Sequence, residues 1–238
     1  MISFEIITIF PEIFSSFLKE SLIARAQKKK LIKIRVHNLR RWTADRHRTV
    51  DDRPYGGGLG MVMKVEPIYK AVMEIKKKNA PHRRIRRGGE KAKIILFTPR
   101  GKKFNQKMAH QFSKLEHLIL ISGRYEGVDE RVAKYITDEE ISIGNYVLMG
   151  GELPAMVLIE TVARLIPGVL GNPQLLKERI PALPGRGGRG FTEYVQYTRP
   201  EVFFPRKGVK WQAPKVLLSG DHKKIEIWRK KHSKIIEK

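Results

Sequence analysis

The chain has 238 residues with Lys plus Arg at 48 against 24 acidic residues, a formal net charge of +24, and no cysteine. That length allows one large or two modest domains with a real core, and the absence of cysteine excludes disulfides, thiolate metal sites and cysteine nucleophiles. So strong a positive field suits a polyanionic partner, since neutralised phosphates release condensed counterions; a solvating or thermophile-type surface is the plainer alternative.

Taken in chain order, "SFEIITIF" combines β-branched and aromatic residues and reads as a strand. Pro11 suits the first turn of a helix running to about Lys29, and "LIKIRVHNL" alternates as a second strand. The N-terminus lacks a basic n-region and a small-residue cleavage site, and no apolar run is long enough to cross a bilayer, so a cytoplasmic protein is expected. Residues 40–60 lack periodicity and end in "PYGGGLG", a loop; "EPIYKAVMEIKKK" is helical; "NAPHRRIRRGGEK" is a very basic turn. "AKIILFTP" and "EHLILISG" are nearly all apolar, as strands buried on both faces of a parallel sheet are. "KKFNQKMAHQFSK", "VDERVAKYI" and "LPAMVLIETVARLI" read as helices, and "EEISIGN" as a strand. This alternation predicts an α/β domain over residues 1–168. A Gly- and Pro-rich linker follows over 169–190, then a small C-terminal domain, 191–238. Its core candidates are Phe191, Tyr194, Tyr197, Phe203, Phe204, Trp211 and Trp228, and its last helix starts after "SGD".

Three glycine-bearing turns follow buried strands: "FTPRGKK", "SGRYEGVDERV" and "SIGNYVLMGGELP". In an open α/β sheet the carboxyl ends of the strands hold ligands, and glycine there lets backbone approach closely. None is a dinucleotide fingerprint or a P-loop. Over residues 141–156 the only formal charge is Glu152, so the third turn suits a neutral, flat group held by backbone and apolar side chains. Each turn alone is no more than a tight turn; three in register favour a ligand. A second constellation, "ADRHRTVDDRPYGGGLGM", joins basic residues, paired aspartates and a glycine triplet, a set suited to phosphates and guanine edges. The plainer reading is a surface loop of salt bridges, but long structureless loops tend to be functional.

Together "HRTVDDRPYGGGLGM", "SGRYEGVDERV", "SIGNYVLMGGELPAM", "RLIPGVLG", "QYTRPEVF" and "VLLSGDHKKIEIWR" occur in an order that resembles the bacterial tRNA (guanine-N1)-methyltransferases, from first strand to last helix. The resemblance implies a knotted (trefoil) SPOUT α/β domain with a parallel sheet, a small, mainly helical, tRNA-binding C-terminal domain, and a homodimer with composite active sites. It implies methyl transfer from S-adenosylmethionine to N1 of the guanosine 3′ of the anticodon, position 37, with tRNA and not DNA as partner. The cofactor residues carry over onto Thr98, Pro99, Gly101, Gly123, Tyr125, Ser142, Ile143, Gly144, Asn145, Tyr146, Val147, Leu148, Gly150, Gly151 and Pro154. Leu96 stands where an aromatic residue is common in the family. The tRNA contacts carry over onto Arg48, Asp52, Arg53, Tyr55, Gly57, Arg199 and Ser219, and Leu59 replaces a usual proline.

Methylating guanine N1 requires loss of its proton and a cation near O6 as the methyl arrives. The resemblance places Arg164 near O6 and Glu126 near cofactor and base. The family's proposed base is a linker aspartate, yet no Asp lies between Asp138 and Asp221 here. Glu178 sits closest to the expected spacing, with Glu193 as the second acid. The resemblance admits Mg²⁺, with Glu126 and Glu193 as helpers, but the residues form no metal-ligand cluster. Two rivals are the same fold acting on another RNA position and a related RNA-binding protein that has lost its base.

Overall fold

A computed structural model describes residues 1–79, 91–172 and 192–235. The basic turn with Arg83, Arg84, Arg86 and Arg87, most of the linker and Glu178 lie outside them. The chain divides into two units, Met1–Pro173 and Gln174–Lys238.

The first unit is built on a wholly parallel five-stranded sheet in the order β2-β1-β6-β5-β7. Its strands are β1 (Ile2–Thr8), β2 (Ile32–Asn38), β5 (Ala92–Lys103), β6 (His117–Ser122) and β7 (Glu139–Ser142). A two-strand pair, β3 (Asp51–Asp52) and β4 (Val62–Met63), closes the base of the glycine loop. The apolar strands split their side chains by parity, as a sheet covered on both faces requires. Phe4, Ile6, Ile95, Phe97, Leu118 and Leu120 face one core with α2 (Ser21–Lys28), α4 (Gln106–Phe112) and α6 (Glu152–Ala163). Ile7, Ile94, Leu96, Ile119 and Ile121 face the other with α3 (Val65–Asn79) and α5 (Glu130–Tyr135).

The expected helix from Pro11 to Lys29 is in fact three pieces: a 3₁₀ turn (Pro11–Phe14), α1 (Ser15–Lys19) and α2. The break falls where Glu20 is extended and Ser21 has φ of 53°, and the Gln27 side chain donates to the Leu18 carbonyl at 2.9 Å, satisfying an end carbonyl of α1. Asn105 and Asp129 cap α4 and α5 through side-chain oxygens, which sets where those helices start.

On β1 the buried Glu5 receives Ser3 Oγ at 3.0 Å, Arg35 Nε at 2.8 Å and His37 Nε2 at 2.7 Å. Burial alone would raise its pKa, but the hydrogen bonds from His37 and Arg35 outweigh it and hold the carboxyl at about 2 against an ordinary 4.5. A depressed folded pKa contributes stability that is complete above about 4.5 and is lost as pH falls toward about 2. That contribution is on the order of 3 kcal/mol, at roughly 1.4 kcal/mol per pH unit. Denaturant unfolding at pH 7 and pH 3 should therefore show a larger acid loss in the parent than in Glu5→Gln. Equal losses would mean that the network does not couple folding to this proton.

The second unit is mixed among its described residues. Strand β8 (Thr192–Tyr194) pairs antiparallel with β11 (Ser233–Ile235), and β9 (Val202–Arg206) with β10 (Val209–Gln212). Two helices, α7 (Lys215–Leu218) and α8 (His222–Lys231), complete it, the latter capped by Asp221 as expected. The mainly helical character expected is not what these residues show: "VFFPR" and "VKWQ" pair as a hairpin whose turn holds Gly208 at φ of 80°. Phe191 lies outside the described residues, and the described aromatics do not form a closed core. Phe203 lies tilted against Trp211 and Tyr197 edge-on to Trp228, yet Tyr197, Phe203, Phe204 and Trp211 are each at least half exposed.

Candidate functional site

A cavity of about 330 Å³ opens beside the middle of β5 and at the carboxyl ends of β6 and β7. All three glycine-bearing turns reach it. β5 supplies Leu96, Phe97, Thr98, Pro99 and Arg100; the turn after β6 supplies Gly123 to Val128; the segment after β7 supplies Ser142, Ile143, Tyr146 to Gly151 and Pro154.

The first turn is not the end of its strand. β5 continues to Lys103, and its pairing with β7 shifts so that Phe97 and Lys102 both oppose Ile141. Residues between them are lifted out of the ladder into the cavity wall, consistent with Pro99, which has no N–H to give. Gly101 does not line the cavity. A Cβ there would lie 2.5 Å from Ile141 N and 2.6 Å from Glu140 C, so this glycine lets β5 return against β7.

The second and third turns are locked to each other. Gly151 N donates to the Gly123 carbonyl at 3.0 Å, and Arg124 bridges to Gly150 as a lone antiparallel pair. A Cβ on Gly151 would come within 2.7 Å of Ser122 Cα. Gly144 and Asn145 stand outside the lining; a Cβ on Gly144 would meet the ring of Tyr146, which does line the cavity and whose hydroxyl donates to the Ile143 carbonyl at 3.3 Å.

The long basic loop comes to the same rim. Glu126 N donates to the Met61 carbonyl at 3.1 Å, Met63 N donates to the Gly127 carbonyl at 3.0 Å, and Gly60, at φ of +84°, leaves room for the Glu126 side chain. Above that seat Tyr55 is 99% exposed and Leu59 94%. Arg48 is held left-handed at φ of 53°, and Gly57 at 81°. Asp52 accepts from Arg53 N at 2.9 Å and faces Lys64 Nζ at 3.4 Å; these contacts lower its pKa, while Arg53 points to solvent. Loop and cavity therefore form one continuous surface, with Glu126 where they meet.

Other expected residues are placed elsewhere. Arg164 caps the C-terminus of α6 and does not line this chain's own cavity. Glu193 lies on β8 opposite Lys234, Arg199 precedes β9, and Ser219 caps α7, all in the second unit. Sequence reasoning missed Arg124, Arg100, Glu130 and Met149 of the lining. Arg124 stood in "SGRYEG", but its partner is 28 residues away. Among the described residues no cluster of three His, Asp or Glu side chains could hold a metal ion, and no helix is long and apolar enough to cross a membrane.

The lining fits an adenosyl group. Leu96, Phe97, Ile141, Val147 and Leu148 give an apolar wall, the glycine turns expose backbone, and the lining carboxylates are Glu126 and Glu130, the latter paired with Arg100. A family model described as tRNA (guanine-1)-methyltransferase TrmD matches residues 2–237. The chain is 51% identical over 233 residues to the tRNA (guanine-N(1)-)-methyltransferase of Dictyoglomus turgidum, covering 98% of this chain and 85% of the relative. The corresponding protein of Carboxydothermus hydrogenoformans is 49% identical over 96% of this chain and 81% of its own length. That of Ruminiclostridium cellulolyticum is 46% identical over 97% and 90%.

Proposed function

Because the chain belongs to the tRNA (guanine-N1)-methyltransferase family, we propose that its cavity and basic loop together serve methylation of guanine N1 in tRNA, at the guanosine 3′ of the anticodon. The methyl donor is S-adenosylmethionine, which when bound supplies an electrophilic methyl group. The observation that carries the reading is the meeting of a largely neutral, glycine-walled cavity with a basic, glycine-rich loop at Glu126. The segment from Ser142 to Leu148 wraps the adenosyl group as the threaded part of a trefoil knot. Tyr55, Arg48 and Arg53 reach the RNA, joined by Arg199 and Ser219 of the C-terminal, tRNA-binding domain.

The residues divide the chemistry as follows. As the N1–CH₃ bond formed and the sulfonium–methyl bond broke to leave S-adenosylhomocysteine, the N1 proton would pass to a carboxylate and charge would accumulate at O6. Arg164 stabilises that charge, Glu126 orients the base, and Glu178, with Glu193 as the competing candidate, takes the proton. Mg²⁺ has no ready-made cluster among the described residues; Glu126 and Glu193 are the acids that would help to hold it.

Arg164 stands outside this chain's own cavity, as a site shared between two copies requires. Leu153 and Val157, one turn apart on α6, are exposed, as are Val147, Met149 and Phe10 near the cavity rim. Such a patch on a charged chain marks an interface, and a second copy covers it. Sedimentation at micromolar concentration should find a dimer, and Leu153→Glu with Val157→Glu should yield a monomer without transferase activity. An active monomer would contradict the shared site. Transfer should also vanish from a tRNA transcript in which the guanosine 3′ of the anticodon is replaced by adenosine.

A further inference from the structure

Glu152 is the one formal charge between residues 141 and 156, and it is 1% exposed. It begins α6, where a carboxylate is favoured by the helix dipole, but its partners lie on other elements. Thr8 Oγ1, at the end of β1, donates to Oε1 at 2.7 Å, and Arg124 Nε donates to Oε2 at 2.9 Å. Thr8 Oγ1 in turn accepts from Phe10 N at 3.0 Å, and the Phe10 ring lies 4.8 Å from the Arg124 guanidinium carbon. Arg124 also points its NH1 at the Met149 carbonyl, 3.5 Å away, and its backbone pairs with Gly150. Gly150 has no space for a side chain: a Cβ would meet Arg124 and would lie 2.6 Å from Glu152 Oε2.

The arrangement joins the two rims of the cavity. Arg124 belongs to the turn after β6, and Met149 and Gly150 to the segment after β7; both line the cavity, whereas Glu152 does not. We propose that Glu152 is a positioning residue that acts through Arg124 to hold the 123–127 turn and the 148–151 segment at the spacing the cofactor needs. The inference rests on the reading of this cavity as the S-adenosylmethionine site. A buried carboxylate with two directed donors fixes one rotamer of Arg124, and a charge-assisted hydrogen bond in a buried setting is strong enough to hold it.

The test is calorimetric binding of S-adenosylhomocysteine to the full chain. Gln in place of Glu152 keeps the shape and can still accept from Thr8, but removes the charge that holds Arg124. Glu152→Gln should weaken binding by about tenfold, the scale of one charge-assisted hydrogen bond. The unfolding midpoint without ligand measures the purely structural part, and the affinity loss should persist in protein that is fully folded at the assay temperature. In the Arg124→Met background the same substitution should change affinity by less than about twofold, since effects that run through one partner are not additive. An unchanged affinity in folded Glu152→Gln would overturn the proposal, as would an equal loss with and without Arg124. If Glu152→Gln does not fold, Arg124→Lys decides, because a lysine cannot reach Glu152 and the Met149 carbonyl together; parent-like affinity would then overturn the proposal. A parent chain that fails to bind S-adenosylhomocysteine would overturn the reading of the cavity itself.

Discussion

Gly151→Val is expected to cost about 3 kcal/mol or more of stability, the upper range for forcing extra atoms into a packed site, and to abolish cofactor binding in whatever protein folds. The new Cβ would lie 2.7 Å from Ser122 Cα and 3.1 Å from Gly123 N, both backbone atoms, and 3.2 Å from Phe97 Cβ. None of these is the free end of a flexible side chain. Relief requires the start of α6 to move away from β6, which breaks the 3.0 Å bond between Gly151 N and the Gly123 carbonyl and parts two walls of the cavity. The backbone at Gly151, φ of −87°, is open to any residue, so the effect is steric and not conformational. Gly171→Ala is the control, since nothing lies within 4 Å of its would-be Cβ. Chemical denaturation and calorimetry with S-adenosylhomocysteine check both halves; a stable Gly151→Val with parent affinity would refute the packing described.

The second large effect concerns the proton. Glu178→Gln should lower single-turnover methyl transfer by roughly 10²–10⁴-fold, the usual scale for losing a general base. Affinity for S-adenosylmethionine should barely change, because a general base acts on the transition state and not on ground-state binding of the cofactor. A glutamate reaches one methylene farther than an aspartate, and the chain carries no Asp from residue 139 to residue 220. Glu193→Gln competes as the alternative. Should Glu193→Gln lose the rate while Glu178→Gln keeps it, the order of the two acids is reversed. Should neither lose it, proton removal passes to water or another group.

Much of the first unit was legible because its strands are buried on both faces, and runs such as "LILIS" carry that requirement on their surface. The caps of α4, α5 and α8 were local side-chain events of the same kind, although only the last was singled out. The continuation of β5 past Pro99 was not legible: proline reads as the end of a strand, and only the approach of β7 to Gly101 makes the return possible. The break at Glu20 is similarly hidden, since its compensating hydrogen bond comes from Gln27. In the second unit hydrophobicity misled. Phe203, Phe204 and Trp211 look like a core by composition but lie on short paired strands, half or more exposed. At the site, glycine pointed to all three turns, whereas the Thr8–Glu152–Arg124 contacts span 144 and 28 residues of sequence and leave no local signature.

Methylation of the guanosine 3′ of the anticodon is tested by mass spectrometry of a tRNA transcript incubated with the full chain and isotopically labelled S-adenosylmethionine, followed by nuclease digestion. One labelled N1-methylguanosine is expected, in the oligonucleotide that carries the 3′ neighbour of the anticodon. Label at another nucleotide, or a folded protein that binds both cofactor and tRNA yet transfers no methyl group, would contradict it.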